Sequence, residues 1–149
     1  MDELKKQLQE IRYKEEPLKP LIVDFQIIEG KWQGVDNKDL DDLDRIYTSL
    51  LLKVPEFVWE VEVLERLLKN AKGIDVAKKR SETVEGKKVY GNLEEAKSEV
   101  DLFYQDEEIE RIRLEALAQM YKNATEAVAE RIRAIKIFLN YANKQSFNW

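Results

Sequence analysis

The sequence predicts a mainly α-helical fold, a helical bundle with one long C-terminal helix, in a single domain that covers residues 1–149. Apolar residues make up 44% of the 149, and along most of the chain they recur every three or four positions, as on one face of a helix. Charged residues make up a further 37%, whereas glycine and proline number only five and three. This composition is typical of long, solvated helices rather than of disorder.

The first predicted element is a short helix over residues 2–14. Its apolar positions follow spacings of four and three, at Leu4, Leu8 and Ile11. Pro17 and Pro20 are expected to end this helix, because proline lacks a backbone N–H and disfavours helical geometry in the residue before it. The rest of residues 1–35 is expected to form an arm or a hairpin.

Residues 21–35 have a strand-like pattern. Apolar and polar side chains alternate over residues 23–27, which is typical of a half-buried strand. A turn at residues 29–31 would lead the chain back through Trp32 and Val35 and complete a small β-hairpin. The same residues suit an extended arm that covers a hydrophobic groove, and the sequence leaves both interpretations open.

The central part, residues 36–91, is predicted to hold two helices and a basic loop. Asp36 or Asn37 can cap a first helix that runs to about Lys53. Pro55 would then lie in the first turn of the second helix, where a backbone N–H is not needed.

This second helix is predicted to continue through Gly73 to about Ser81, because a single glycine costs only about 1 kcal/mol. Its apolar residues follow a 4-3-4-3 seam suited to pairing with another helix, and Trp59 is expected to belong to the core. Two glycines within residues 83–91 then predict a polar loop or tight turn.

The C-terminal part, residues 92–149, is predicted to hold the oligomerisation helices. Asn92 and Glu95 have the spacing of a capping box, which opens a short helix. Asp106 offers the N-cap of the longest helix, which runs without proline or glycine to about Asn143 and would be about 55 Å long.

That length exceeds the dimensions of a compact domain of this size, whose radius of gyration is about 15 Å. We therefore expect the apolar seam of the long helix to meet a second chain. The residues assigned to this oligomer interface are Leu117, Tyr121, Val128, Ile132, Ile135 and Leu139.

The chain contains no histidine and no cysteine, which limits its chemistry. Ser-His and Cys-His nucleophile pairs, disulfides and the usual zinc ligand sets are excluded. The aspartates between residues 36 and 44 lack the glycine and glutamate of a helix-loop-helix calcium loop, and they suit a charged first helical turn. The sequence therefore predicts a non-enzymatic protein without catalytic residues, cofactor or metal site.

The apolar stretches of the sequence are too short to cross a bilayer. The first ten residues are charged and do not resemble a signal peptide. The absence of cysteine suits a reducing compartment. A cytoplasmic location without a membrane partner is therefore expected.

Positive charge is concentrated between Arg66 and Lys88. This segment holds eight basic and three acidic residues, a net charge of +5, so that the remainder of a chain with net charge −5 carries −10. Basic side chains can neutralise phosphates with release of counterions, and an aromatic ring can stack on a base. The residues assigned to nucleic-acid binding are Lys69, Lys72, Lys78, Lys79, Arg80, Lys87, Lys88 and Tyr90. A solvated helix end, whose basic residues complement the helix dipole, is the alternative interpretation.

A resemblance to a known family covers mainly residues 78–147. The motifs that carry it are Lys97-Ser98-Glu99-Val100, Asp106-Glu107-Glu108-Ile109, Arg133-Ala134-Ile135-Lys136 in the long helix, and Phe147 near its end. Upstream, basic residues 78–80 precede a loop that contains Gly86. In this order of elements the chain resembles the UvsY-type recombination mediators of T4-like phages. Ser81 and Glu82 stand where that family has aromatic residues.

The resemblance implies a phage protein that binds single-stranded DNA in the cytoplasm of the host cell. It also implies a ring-like homo-oligomer, formed through the C-terminal helices, that helps to load a RecA-like recombinase onto DNA covered by single-strand-binding protein. A second hypothesis is a helical protein-interaction module of a phage, a virion adaptor or an inhibitor of a host protein, without nucleic-acid binding. Its surface would be the acidic face with Trp32, Tyr47 and Trp149.

Overall fold

Five helices and a short two-stranded hairpin make up the described part of the chain. The computed structural model describes residues 2–31, 36–84, 87–88 and 92–147, and of residues 83–84, 87–88 and 143–147 only the backbone. The elements are α1 (Asp2–Glu15), α2 (Leu18–Glu29), α3 (Asn37–Ser81), β1 (Thr83–Val84), β2 (Lys87–Lys88), α4 (Leu93–Phe103) and α5 (Gln105–Phe147). The mainly α-helical fold class and the long C-terminal helix are confirmed.

The two long helices, α3 and α5, pack side by side in opposite directions. Lys72 contacts Glu108 near one end, and the rings of Phe57 and Tyr121 meet edge to face 5.3 Å apart in the middle. With 45 and 43 residues, the two helices are each roughly 65 Å long at 1.5 Å per residue. They set the elongated shape of the bundle.

The N-terminal helices form a third layer that runs antiparallel to α3. The Gln7 amide donates to the Glu60 carboxylate over 2.7 Å, and at the other end Lys31 reaches Asp39 over 2.9 Å. Between these points the helical structure is interrupted at residues 16–17, and α2 continues in the same general direction as α1. α4 packs on the C-terminal part of α3 and buries Val100 there.

The core is one continuous apolar cluster along α3. Every buried apolar side chain of this helix lies three or four residues from the next, which is the spacing of one helix face. These residues are Leu43, Ile46, Leu50, Val54, Phe57, Val61, Leu64 and Leu68. One buried polar contact joins the layers: the Tyr121 hydroxyl donates to the Glu15 carboxylate over 3.0 Å. Burial, and then this hydrogen bond, raises the pKa of Tyr121.

Neither the hairpin nor the extended arm considered for residues 21–35 is present in the described residues. Residues 18–29 are helical, and residues 32–35, with Trp32 and Val35, lie outside the described residues. The helix forms because its buried residues follow helical spacing, at Leu18, Leu21, Phe25 and Ile28. Val23 and Ile27 are exposed on the other face, so the apparent alternation comes from two apolar faces of one helix.

The two central helices predicted on either side of Pro55 are a single helix. α3 runs through this proline, which lies on the exposed face, so the carbonyl of Leu51 that loses its helical partner is on the solvent side. A proline inside a helix costs about 3 kcal/mol. Val54 and Phe57 on either side are buried, and each contributes about 1.5–3 kcal/mol. The continuous apolar seam therefore outweighs the break.

The starts of α3 and α4 follow the caps predicted from the sequence, whereas the start of α5 does not. Asp36 caps α3 by accepting from the Asp39 N–H over 2.9 Å, and the Asn92 side chain accepts from the Glu95 N–H over 2.9 Å. The N-cap predicted at Asp106 is wrong, because α5 begins one residue earlier, at Gln105. Tyr104 joins α4 to α5 directly: its N–H donates to the carbonyl of Val100 and its carbonyl accepts from Glu108.

The predicted oligomer interface of α5 lies in the core of its own chain. The six residues assigned to it are buried, or half-buried against the core: Tyr121, Val128, Ile132 and Ile135, with Leu117 and Leu139 beside them. α3 is as long as α5 and covers this seam. The inference that the seam must meet a second chain is therefore wrong, because an elongated bundle can bury a helix that a spherical domain could not.

Candidate nucleic-acid interface

Most of the predicted basic residues lie in the last turn of α3 and in the hairpin that follows it, and Lys69 lies about three turns earlier on the same helix. We call the basic end the group formed by Lys69, Lys78, Lys79 and Arg80 of α3 with Lys87 and Lys88 of β2. Lys69, Lys78 and Arg80 are exposed, and Lys79 is half-buried. Ser81 donates its hydroxyl to the Lys78 carbonyl over 2.8 Å within the last turn. Cations at this position also complement the negative end of the helix dipole.

The hairpin after α3 continues the basic end. β1 and β2 pair in antiparallel register, with Thr83 opposite Lys88 and Val84 opposite Lys87. The pairing returns both lysines of β2 to the level of residues 83–84, directly after Ser81. Both strands lie within residues 83–91, for which a polar loop or tight turn was predicted, and residues 85–86 and 89–91 lie outside the described residues. Tyr90, the predicted stacking residue, lies outside the described residues.

Lys72 does not belong to the basic end, although the sequence assigned it there. Its ammonium group is 2.9 Å from the Glu108 carboxylate and 3.3 Å from that of Asp101, and its side chain is only 20% exposed. Lys72 follows Leu68 by one helical turn and therefore points towards α4 and α5. It is correctly described as a link between three helices rather than as a phosphate ligand.

The Glu108 carboxylate holds this link together. It accepts hydrogen bonds from Arg111 over 3.0 and 3.1 Å besides its contact with Lys72. Burial alone would raise the pKa of Glu108, but the hydrogen bonds from Lys72 and Arg111 outweigh it and hold the pKa below its ordinary value. Glu108 therefore remains a charged partner of Lys72 at neutral pH.

An exposed aromatic side chain stands beside the basic end. Phe103, the last residue of α4, is 60% exposed and lines a shallow cleft with Asp75, Lys78 and Glu82. Its ring meets that of Tyr104 edge to face at 5.0 Å. The short helix was predicted from the sequence, but Phe103 was not identified as a candidate binding residue. Its position in the last turn of α4, three residues after the buried Val100, was the available signal.

Asp75 is the one acidic residue among the described residues between Arg66 and Ser81, and it is tied to the core. It accepts the hydroxyl of Tyr104 over 2.6 Å. Burial, and then this hydrogen bond, raises the pKa of Tyr104 to about 12. The contact fixes the joint between α4 and α5 against the C-terminal part of α3, and with it the position of Phe103.

Trp59, predicted in the core, is instead half-exposed on the outer face of α3. The guanidinium group of Arg66 lies 5.3 Å from its ring centroid, a cation–π contact. Trp59 is two positions after the buried Phe57, which places it on the opposite side of the helix. Arg66 was counted in the basic segment but was not assigned to nucleic-acid binding, and the structure places it on this outer face.

The acidic start of α3 has a structural role. Asp39 is buried and accepts from the Lys31 ammonium group over 2.9 Å, which together with the backbone N–H of Asp36 holds its pKa below the ordinary value. Across the described ranges, no group of acidic residues is arranged to hold a metal ion. In the same ranges, no helix is both long and apolar enough to cross a membrane.

Comparison with family models, curated proteins and solved structures gives no match to this chain. The resemblance to UvsY-type mediators is thus a sequence-based expectation. The structural features that bear on function are the residues of the basic end and the surface around it.

Proposed function

We propose that the protein is a non-enzymatic, single-stranded-DNA-binding recombination mediator that acts as a homo-oligomer and helps to load a RecA-like recombinase onto DNA covered by single-strand-binding protein. The observation that carries the DNA-binding part is the concentration of basic side chains where α3 ends, with Lys69, Lys78 and Arg80 exposed. The role in recombination comes from the resemblance of residues 78–147 to the mediator family.

The basic end suits a single strand better than a duplex. Phosphates that contact Lys78 and Arg80 release counterions, which favours binding at low salt. Phe103 lines a cleft with Lys78, so a base next to a bound phosphate can stack on its ring, a contact worth about 1–3 kcal/mol. In a duplex the bases are paired and stacked on one another, so only the backbone contacts would remain.

The charge on the rest of the chain confines DNA to this end. Outside residues 66–88 the net charge is −10, which repels a polyanion along the body of the bundle. A few exposed cations bind a single strand weakly. In a homo-oligomer several basic ends would act on the same strand, and the high effective concentration would raise the avidity without new contacts.

The test compares two double variants. One carries Lys78→Ala and Arg80→Ala at the basic end, and the control carries Lys5→Ala and Lys6→Ala. Both variants remove two exposed charges, but the second pair lies on α1. Fluorescence anisotropy with a labelled oligo-dT strand at several salt concentrations measures affinity and salt slope. The variant at the basic end should bind about tenfold more weakly, which is about 1.4 kcal/mol, and lose about 1.4 from the slope.

The α1 variant should bind like the native chain. Equal affinity and equal salt slope for all three proteins would reject the basic end as the DNA site. Equal losses in both variants would show a response to net charge alone, which also contradicts the proposed site.

A helical protein-interaction module without nucleic-acid binding is the second candidate, and the exposed apolar surface favours it. Sixteen large apolar side chains are exposed among the described residues, and contiguous apolar surface of this kind is typical of protein interaction sites. They include Trp59 and Leu52 on α3 and Phe138 on α5. If this candidate is correct, the anisotropy of labelled DNA stays at its free value even at low salt.

A further inference from the structure

The outer face of α5 carries a second stripe, separate from the seam that packs on α3. We call it the outer stripe; its residues follow one another at spacings of three and four. They are Ile109, Ile112, Ala116, Met120, Asn123, Ala127, Glu130, Ala134, Phe138 and Tyr141. All are exposed except the half-buried Ala127, and the stripe extends for roughly 48 Å along the helix. A surface helix of a monomer has one apolar face, whereas α5 has apolar residues on two.

The order of large and small side chains in the outer stripe is nearly symmetric about residue 125. Large apolar side chains stand at its two ends, Ile109 and Ile112 at one and Phe138 and Tyr141 at the other. Alanine or short polar residues occupy most of the positions between them. Placed antiparallel on a second copy, the stripe brings Ile109 opposite Tyr141, Ile112 opposite Phe138, and Ala116 opposite Ala134. Asn123 then lies opposite Ala127, and Met120 lies opposite Glu130. Size therefore matches at four of the five kinds of pair, and Met120 with Glu130 is the exception.

The charge along α5 favours the same antiparallel direction. Residues 105–125 hold five acidic and three basic side chains, a net charge of −2. Residues 126–147 hold two acidic and four basic ones, a net charge of +2. Two copies of α5 that run in opposite directions match these halves, whereas parallel copies would place like charges together.

We propose that α5 pairs through its outer stripe with α5 of a second copy, antiparallel and with the two-fold axis near residue 125. The proposal rests on the assembly part of the proposed function and is independent of DNA binding. A stable interface buries about 800 Å² on each partner, so a stripe of roughly 48 Å must contribute about 17 Å of width. That exceeds the 10–12 Å diameter of a helix, so the flanking charged side chains join the contact.

One flank supplies opposite charges at the required positions. In this register Lys122 faces Glu126 of the second copy, and Glu115 faces Arg133 of the second copy, each pair twice by symmetry. Lys122, Glu126 and Arg133 are exposed, and Glu115 is partly exposed. The cleft between α3 and α5 on this flank also contains Glu62 and Glu65, which adds acidic groups where the basic half of the second α5 would lie.

Charge variants test the pairing without touching the core. The four flank positions are 115, 122, 126 and 133. An acidic variant with Lys122→Glu and Arg133→Glu makes all four acidic. A basic variant with Glu115→Lys and Glu126→Lys makes all four basic. Each variant alone places like charges face to face, so we expect its self-association to weaken at least about tenfold. An equimolar mixture places opposite charges face to face and should restore association between the two variants. Contacts within one chain cannot be rescued by mixing, so rescue is specific to the interface.

The measurement is sedimentation equilibrium without DNA, for the native chain, each variant and the mixture. Dimerisation of the native chain, loss of it in each variant and its return in the mixture would establish the pairing. Native self-association with no effect of either variant, or with no rescue on mixing, would overturn the register. In that case assembly, and with it the proposed function, would still stand.

An apolar substitution provides an independent check with a matched control. Phe138→Ser removes a ring of the outer stripe that is 68% exposed, and Leu52→Ser removes an α3 side chain of the same exposure. The α5 variant should lose self-association by about tenfold or more, while the α3 variant keeps the native value. Equal behaviour of the two would contradict the proposed interface. A native chain that remains a single copy at all concentrations, with or without DNA, would overturn both the pairing and the assembly part of the proposed function.

Discussion

At the scale of single residues, the position on a helix decides what a basic side chain does. Lys69 and Lys72 are three residues apart on α3, yet Lys69 is exposed and Lys72 contacts two carboxylates. Both are lysines, and their exposure differs because they lie on different faces of α3, one towards solvent and one towards α4 and α5. The assignment of phosphate contacts therefore depends on knowing which face α4 and α5 cover.

Tyr104 gives a residue-scale prediction about pH. Its pKa in the folded protein is about 12, above the ordinary value of 10.0 for a tyrosine in the unfolded chain. Between these values the unfolded chain loses the phenol proton first, so the free energy of unfolding falls as pH rises from 10 to 12. Below pH 10 this contribution is fully present.

The measurement is urea unfolding followed by circular dichroism at pH 9 and pH 11, for the native chain and Tyr104→Phe. The difference between the folded and unfolded pKa of Tyr104 corresponds to about 2.7 kcal/mol of stability, of which about half is lost by pH 11. The variant loses the hydrogen bond to Asp75 at both pH values, but it should show a smaller fall between them. An equal fall in both proteins would mean that Tyr104 does not contribute.

At the scale of elements, the internal proline of α3 is the clearest conflict between local preference and packing. Pro55→Ala supplies the N–H that the Leu51 carbonyl lacks, which stabilises the folded helix by about 3 kcal/mol. Alanine also makes the unfolded chain more flexible, which lowers the stability by about 0.4–1 kcal/mol. We expect Pro55→Ala to raise the free energy of unfolding by about 2 kcal/mol. The measurement is again urea unfolding, monitored by helix content.

Pro20→Ala is the control for this prediction. Pro20 lies in the first turn of α2, where the backbone N–H has no partner within the helix, so its replacement should change stability by less than about 1 kcal/mol. If both alanine variants gave the same change, the effect would come from the unfolded chain rather than from the missing hydrogen bond in α3.

Helix spacing made most elements predictable, and the exceptions have physical reasons. The extents of the first helix and of the C-terminal part of α3 followed from apolar periodicity. The long helix also followed from periodicity, although its N-cap was assigned to the wrong residue. Over residues 21–29 a helix with apolar side chains on both faces gave the alternation of a strand. At Pro55 the local preference of proline is overcome by tertiary packing, which a single sequence does not reveal.

The candidate site was predictable only in part for the same reason. The charge count located the basic segment, and the exposed positions of Lys69, Lys78 and Arg80 agree with it. The sequence did not reveal that Lys72 faces Asp101 and Glu108, since those acids are distant along the chain. The seam of α5 was recognised correctly as apolar, but its partner was assigned to another chain instead of α3.

At the scale of the whole molecule, the bundle has a basic end, an acidic body and a second apolar face on α5. The body buries its core along α3, so assembly is not needed to complete the fold. Pairing through the outer stripe would instead give a dimer with two basic ends, one at each end of the paired helices, which can contact the same strand. In the proposed function, the outer stripe joins the copies and the basic ends of the resulting oligomer bind single-stranded DNA.

Sedimentation of the native chain with and without a labelled oligo-dT strand at low salt tests this account most directly. We predict a particle larger than one chain in the absence of DNA, and co-sedimentation of the labelled strand with that particle. The salt concentration that releases the strand should leave the protein particle assembled, because the outer stripe is partly apolar. A particle of one chain at every concentration, with the labelled strand sedimenting on its own, would contradict the account.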